Sequence, residues 1–312
     1  MASTKNSKPL NVFLTGASGF IGGTIAVVLT ESGHSVRGLI RRADQAPVLQ
    51  KFGITSVIGS LDDRDLLIRE AKQADAVVNA ANADHRGSVE ALIEALEGSG
   101  KTLLHTSGSS IVGDASGGEK AEALIFHEDN LPEPTADKVA RVGIDKLVLK
   151  ASKQNIRTAV MCPCLIYGYG RIPGSSSVQL PRLIRQAEKS GVVRHVGSGG
   201  NIWSNVHVED VAQVYKLALE KPTPSGVFYF IESGESSFHE MAEAIAQKLK
   251  LKGSENWSLD EAKNEWGYEM ASYGLGSNSR IRGKKAHELL GWIPKRNSVL
   301  DWIKDELVPG KH

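Results

Sequence analysis

The sequence predicts a doubly wound α/β fold, a parallel sheet wrapped by helices, with a smaller C-terminal domain whose segments interleave with it. Two observations carry this. Short apolar runs alternate with stretches of helical spacing through the first half of the chain. Near the N-terminus, Asn11 to Gly23 reads NVFLTGASGFIGG: an apolar run, then glycines at 16, 19 and 22, then an apolar helical stretch.

The elements follow in order. Val12–Leu14 reads as a buried strand and Thr24–Thr30 as the apolar face of a helix. Further strands are expected at Val36–Ile40, Thr55–Ile58, Ala76–Ala80, Leu103–Thr106 and Ala159–Leu165. Helices at Leu66–Lys72, Val89–Leu96 and Lys138–Lys150 fall between them. Past Tyr167 the texture changes, and Gly168–Ser177 and Val196–Asn205, rich in glycine and serine, read as loops. Val208–Leu219 returns to helix, Gly226–Ile231 to strand and Ser237–Leu251 to an amphipathic helix, before closing helices at Lys284–Leu290 and Val299–Leu307. The expected organisation is a disordered tail over 1–9 and a dinucleotide-binding domain over 10–167, to which 206–232 returns. A substrate-binding domain is expected from 168–205 and 233–312.

Composition narrows the function. Lys and Arg number 37 against 36 Asp and Glu, a net charge of +1, which gives no electrostatic case for nucleic acid or an anionic membrane. No apolar run approaches a membrane span, and the polar MASTKNSKP start lacks the apolar core of a secretory signal. The chain is therefore expected to be cytoplasmic. Its two cysteines, Cys162 and Cys164, are too few for a structural zinc site and read as small residues of a buried strand; no metal is expected.

The glycine stretch carries the chemistry. A strand, a glycine turn and a helix build a dinucleotide phosphate cradle of the Rossmann type: Gly16 permits the turn, Gly19 admits the pyrophosphate, and Gly22 lets helix and strand pack closely. The second strand ends in Arg41-Arg42, with no carboxylate before Asp44. An acidic side chain there would accept from the ribose hydroxyls of NAD, whereas arginine's planar fork suits a 2′-phosphate, so the reading favours NADP(H) over NAD(H).

Thr15–Gly22 matches the TGxxGFxG fingerprint, and the chain resembles the extended branch of the short-chain dehydrogenase/reductase superfamily: epimerases, dehydratases and reductases. CPCLIYGYG (Cys162–Gly170), VHVEDVA (Val206–Ala212) and KKAHELLGWIPK (Lys284–Lys295) resemble its later segments, in the same order. The resemblance implies cofactor contacts from Gly16, Ser18, Gly19, Phe20 and Ile21, and from Arg41, Arg42, Ser60 and Leu61. It implies others from Ala80, Ala81, Lys146, Pro163 and Ile166. It also implies a homodimer, paired through the helices at Val89–Leu96 and Lys138–Lys150, with Val139, Val142, Leu147 and Leu149 as the apolar stripe.

The family's catalytic tyrosine, followed four residues later by lysine, is absent: none of Tyr167, Tyr169, Tyr215, Tyr229, Tyr268 and Tyr273 has such a lysine. The matching segment keeps Lys146 but puts Val142 at the tyrosine position, and the catalytic serine position falls on Gly108, between Ser107 and Ser109. The expected catalytic set is therefore Lys146 on the nicotinamide ribose, Ser107 or Ser109 on the substrate oxygen, and Tyr167 as proton donor. His85, Gln179, Trp203, Asn205 and Tyr273 are candidate contacts to a small alcohol or carbonyl substrate, and Arg280 belongs to a candidate lid or phosphate clamp. Two other readings compete with an NADP-dependent oxidoreductase or epimerase-like enzyme: an NADP-binding isomerase or cyclase without net redox, and a cofactor sensor without catalysis.

Overall fold

The computed structural model describes residues 8–311, so positions 1–7 of the expected tail lie outside the described residues. In chain order come β1 (Asn11–Thr15), α1 (Phe20–Glu31), β2 (Ser35–Ile40), α2 (Ala46–Gln50), β3 (Thr55–Ile58) and α3 (Arg64–Gln73). Next are β4 (Ala76–Asn79), α4 (Arg86–Leu96), β5 (Thr102–Thr106), α5 (Val139–Lys150), β6 (Arg157–Pro163), β7 (Leu165–Tyr167) and α6 (Leu180–Ser190). Then follow β8 (Val193–Val196), β9 (Ile202–His207), α7 (Val208–Glu220), β10 (Val227–Ile231), β11 (Gly234–Ser237) and α8 (Phe238–Leu249). The chain closes with β12 (Ser254–Trp257), α9 (Leu259–Trp266), α10 (Lys285–Leu290) and α11 (Val299–Asp305).

Seven parallel strands form the main sheet in the order β10-β6-β5-β4-β1-β2-β3. Helices cover both faces, which is why β4 (AVVN) and β10 (VFYFI) are buried at every position instead of alternating. Strand order reverses between β1 and β4, so the loops after these strands diverge and open a crevice at the carboxyl edge. Register lines up Thr15 with Asn79 and Asn79 with His105, placing three polar side chains in a row across that edge.

The smaller lobe holds a three-stranded sheet, β11-β9-β7, and the parallel pair β12-β8, with a separate core that includes Leu183, Trp203, Phe238, Ile245 and Trp302. Ile281, Ala286, Leu290 and Trp292 pack into the first core, so α10 belongs with the main sheet and not with the rest of 233–312. The expected strand Ala159–Leu165 is two strands in different sheets: β6 ends at Pro163, and β7 starts at Leu165 in the small sheet. The expected loop Val196–Asn205 is a turn followed by most of β9, and α6, whose Leu180, Leu183, Ile184 and Ala187 form an apolar stripe, was not anticipated.

Of the stripe offered for a dimer, only Val139 is exposed; Val142, Leu147 and Leu149 pack partly on the first core. No helix among the described residues is long and apolar enough to cross a membrane.

Candidate active site

The crevice at the β1/β4 reversal is a cleft of about 600 Å³, lined by Gly16, Ser18, Gly19, Arg41, Arg42, Ser60, Leu61, Ala80 and Ala81. The turn after β1 needs its glycines. Gly16 has φ +76°, and a Cβ there would meet Ala80 O at 2.8 Å and Ala81 Cα at 2.9 Å. A Cβ at Gly22 would stand 2.4 Å from Gly16 O, so α1 seats on the end of β1 only without a side chain there. No side chain caps α1 at Gly19, which leaves its first-turn N–H groups for an anion. These features fit a dinucleotide: Gly16, Gly19 and the start of α1 would hold the pyrophosphate, and Arg41, Ser60 and Leu61 the adenosine end.

The two arginines differ. Arg42 is tied to Asp44 through Nε and Nη2, whereas Arg41 is exposed and makes no hydrogen bond or ion pair among the described residues. Arg41 is one of the residues lining the cleft. His85 lines the same cleft and not a substrate pocket. It caps α4, Nδ1 accepting from Ser88 N at 3.1 Å, and its Nε2 lies 3.0 Å from Asp62 Oδ1. Phe20, Ile21, Pro163 and Ile166 are not among the residues that line the cleft. Ile21 and Ile166 pack against the first core, and Pro163 ends β6, paired with Ile231.

The expected catalytic residues mostly fall elsewhere. Lys146 is exposed, because the buried positions of α5 are Ile144, Asp145 and Val148. The helix phase turns Lys146 outward and Asp145 inward, which removes Lys146 from both its expected roles. Tyr167 is fully buried in the small-lobe core, between His207 (ring centroids 5.3 Å apart) and Trp302 (5.9 Å), with its hydroxyl on Arg296 O at 3.4 Å. Burial pushes its phenol above the ordinary range, so Tyr167 is no proton donor to the cleft. Ser109 is buried and accepts from Ser279 Oγ at 2.8 Å on both its hydroxyl and carbonyl oxygens. Ser107, just past β5, is buried with its hydroxyl on Asp145 and is not among the residues that line the cleft.

The expected substrate contacts are also largely structural. Gln179 donates to Gly274 O at 2.8 Å, and the buried Trp203 indole donates to Ser277 O at 2.7 Å. Tyr273 pairs with Tyr268 and lies under Lys138 Nζ, 5.0 Å from its ring centre. Asn205 is buried on β9 with neither side-chain atom hydrogen-bonded among the described residues. Arg280 is a clamp of structure, not of phosphate: it donates to both Glu235 oxygens and to Glu122 O.

The structure assembles a polar centre that the sequence reading missed. Ser107 Oγ donates to Asp145 Oδ2 at 2.7 Å, and Asp145 Oδ1 faces His105 Nε2 at 3.7 Å. Asn79 Nδ2 lies 3.1 Å from His105 Nδ1, and Thr15 Oγ1 donates to Asn79 Oδ1 at 2.6 Å. Thr15 in turn accepts from Ala80 N, so the thread begins at the cofactor cleft wall and ends at Ser107. One helical turn before Asp145, Arg141 grips both oxygens of Asp84 and donates to Ser110 Oγ at 3.1 Å. A Cβ at Gly108, the position of the missing catalytic serine, would lie 3.7 Å from Arg141 Nη1. Arg141 holds the Asp84 carboxyl below the usual range, while burial lifts Asp145 to about 6 and lowers His105 to about 4.

A second cleft, about 500 Å³, is bounded by Gly168–Ser177, the first turns of α6, Trp302 and Leu307, and shares no lining residue with the first. Among the described residues no group of three His, Cys, Asp or Glu side chains could hold a metal.

Comparison with known proteins agrees with this architecture. MoeE5, solved in complex with UDP-glucuronic acid and NAD, shares the fold at a TM-score of 0.74, covering 94% of this chain and 96% of that one at 22% identity. Oxidase ucsJ of an Acremonium species is 31% identical over 91% of this chain and 92% of its own length. The 2-alkyl-3-oxoalkanoate reductase of Stenotrophomonas maltophilia is 29% identical over 78% of this chain and 76% of its own. Residues 12–229 match the NAD dependent epimerase/dehydratase family, and the chain belongs to that family.

Proposed function

We propose that this protein is an NADPH-dependent reductase of a small carbonyl compound. The observation that carries the reading is Arg41, which lines a glycine-built cleft and has no charged partner among the described residues, the carboxylates of Asp44 and Asp62 being engaged by Arg42 and His85. A 2′-phosphate would supply the partner Arg41 lacks. The names of two relatives, an oxidase and a reductase of an oxo acid, support redox chemistry at a carbon–oxygen bond.

A nicotinamide dinucleotide bound there supplies hydride. The protein's residues do the rest. Ser107 presents a hydroxyl at the end of β5, backed by Asp145, and is the group that meets the substrate oxygen. Arg141, held by Asp84 beside Gly108, keeps the first turns of α5 against the cleft rim. Neither Lys146 nor Tyr167 takes part.

Parallel fluorescence titrations with NADPH and NADH test this reading, with quenching of the tryptophans as signal. Arg41→Ala should weaken NADPH binding by about tenfold or more, about 1.4 kcal/mol, and leave NADH unchanged. Equal binding of the two dinucleotides by the parent protein would overturn the NADPH assignment.

A further inference from the structure

We propose that Asp145 is the proton store of this site: its carboxyl resupplies, through Ser107 Oγ, the proton that the substrate oxygen takes up, and His105 positions it. The inference rests on the carbonyl-reductase reading above.

The geometry sets Asp145 apart from an ordinary buried carboxylate. Such groups are paired or fully hydrogen-bonded, because burying an unpaired charge is costly. Asp145 is 3% exposed, yet the nearest guanidinium, on Arg141 of its own helix, is spent on Asp84 and Ser110. Only its Oδ2 has a hydrogen bond, from Ser107; Oδ1 has none, and neither has the His105 Nε2 that faces it at 3.7 Å. The Asn79 amide donates to His105 Nδ1, which fixes the neutral tautomer with its hydrogen on Nε2, aimed at Asp145. The facing groups are Arg141 on α5, Asp84 on the loop after β4, His105 and Ser107 from β5, and the buried Cys162 thiol on β6. Burial keeps that thiol protonated and His105 neutral, so Asp145 is the one group of the cluster that exchanges a proton near neutrality.

The step balances. Reduction of a carbonyl needs a hydride on carbon, which brings the electron pair from the bound reduced dinucleotide, and a proton on oxygen. That proton leaves Ser107 Oγ; the Asp145 carboxylic proton moves to Ser107 Oγ; solvent returns a proton to Asp145 before the next turnover. Asp145 is thus a positioning and supplying residue that acts through Ser107, and does not touch the substrate.

The experiment has two arms on the full-length protein. In the first, ¹³C NMR follows aspartate carboxyls without cofactor: one should titrate at about 6, be missing in Asp145→Asn and shift upward in Ser107→Ala, which removes the hydrogen bond to the charged form. In the second, NADPH oxidation with phenanthrenequinone as probe is followed against pH. The parent rate should fall as pH rises through the Asp145 titration. Asp145→Asn should lower the rate by about 100-fold and flatten that step, with NADPH affinity within about threefold. Ser107→Thr should restore what Ser107→Ala loses. An Asp145→Asn variant that keeps the parent pH step, or an Asp145 carboxyl that titrates in the ordinary carboxylate range, overturns the proposal. A parent protein that binds no NADPH or reduces no probe overturns the reductase reading instead, and the NMR titration still decides Asp145.

Discussion

At the scale of single residues, the cofactor end of the site depends on atoms that are not there. Gly22 packs its α-carbon against the Gly16 carbonyl, and a methyl group 2.4 Å from that oxygen would force α1 away from β1. Gly22→Ala should cost about 2–3 kcal/mol of stability, within the overpacking range, and weaken dinucleotide binding; urea midpoints and fluorescence titrations report each. This residue, with Gly16, Gly19 and Arg41, was legible in the sequence, because a strand-turn-helix cradle leaves a local pattern. The catalytic end was not. Lys146 holds the expected place in a linear motif, but one residue on a helix is a rotation of about 100°, and the packing of Ile144 and Val148 decides which side faces in. Arg141 and Asp145, four apart and both directed inward, are the signal that helical phase would have supplied. His105 and Asn79 were hidden differently: each sits in a strand buried at every position and gains meaning only from the cross-strand register.

Among elements, the strap between β5 and α5 is fastened by Asn278 together with backbone bonds such as Gly118 N to Gly276 O and Phe126 N to Arg280 O, and by Arg280 on Glu122 O. Asn278 Nδ2 reaches Asp114 Oδ2 (2.8 Å), Ser116 Oγ (3.1 Å) and Lys120 O (3.0 Å), while its Oδ1 accepts from Glu122 N (3.1 Å) and Ile202 N (2.7 Å). Asn278→Ala would strand the Glu122 and Ile202 N–H groups and loosen the strap around 114–122, at a cost of about 3 kcal/mol. Amide hydrogen exchange should rise over 114–124 first, with the β1–β6 core unchanged. The stretch around Arg280, expected as a lid or phosphate clamp, is instead fastened down: Ser277, Asn278 and Ser279 are buried, their polar groups used in hydrogen bonds. Polar composition predicts exposure only when the hydrogen-bond partners are out of view. The main-sheet strands, in contrast, were read to within a residue or two, since a strand buried on both faces needs no partner to be recognised as apolar.

For the molecule as a whole, buried ionisable groups set the response to acid. His105 and His207 are held near 4 and near 3 by burial, so between about pH 6 and pH 4 the unfolded chain binds two protons there that the folded chain does not. Asp145, raised to about 6, works the other way, since the folded chain binds a proton that the unfolded one has released. Taken alone these three leave a net proton favouring the unfolded state; His195, lowered by burial, adds to it, and Asp210 and Glu232, raised by burial, oppose it, so the histidines make stability fall on acidification through this window and the raised carboxyls offset that fall. Urea denaturation at successive pH values would show the balance, and Asp145→Asn, which removes one opposing carboxyl, should shift it towards a steeper fall. The order in which the chain visits its two lobes has a different consequence. β10 joins the large sheet only after β7, α6, β8 and β9 have been made, and α10 docks on the first core later still. During synthesis, then, β6 stays an unpaired edge until Ile231 has left the ribosome. A nonsense mutation past Tyr167 would release no free nucleotide-binding module, only a fragment with an open edge and a missing wall, suited to aggregation and to clearance by proteases.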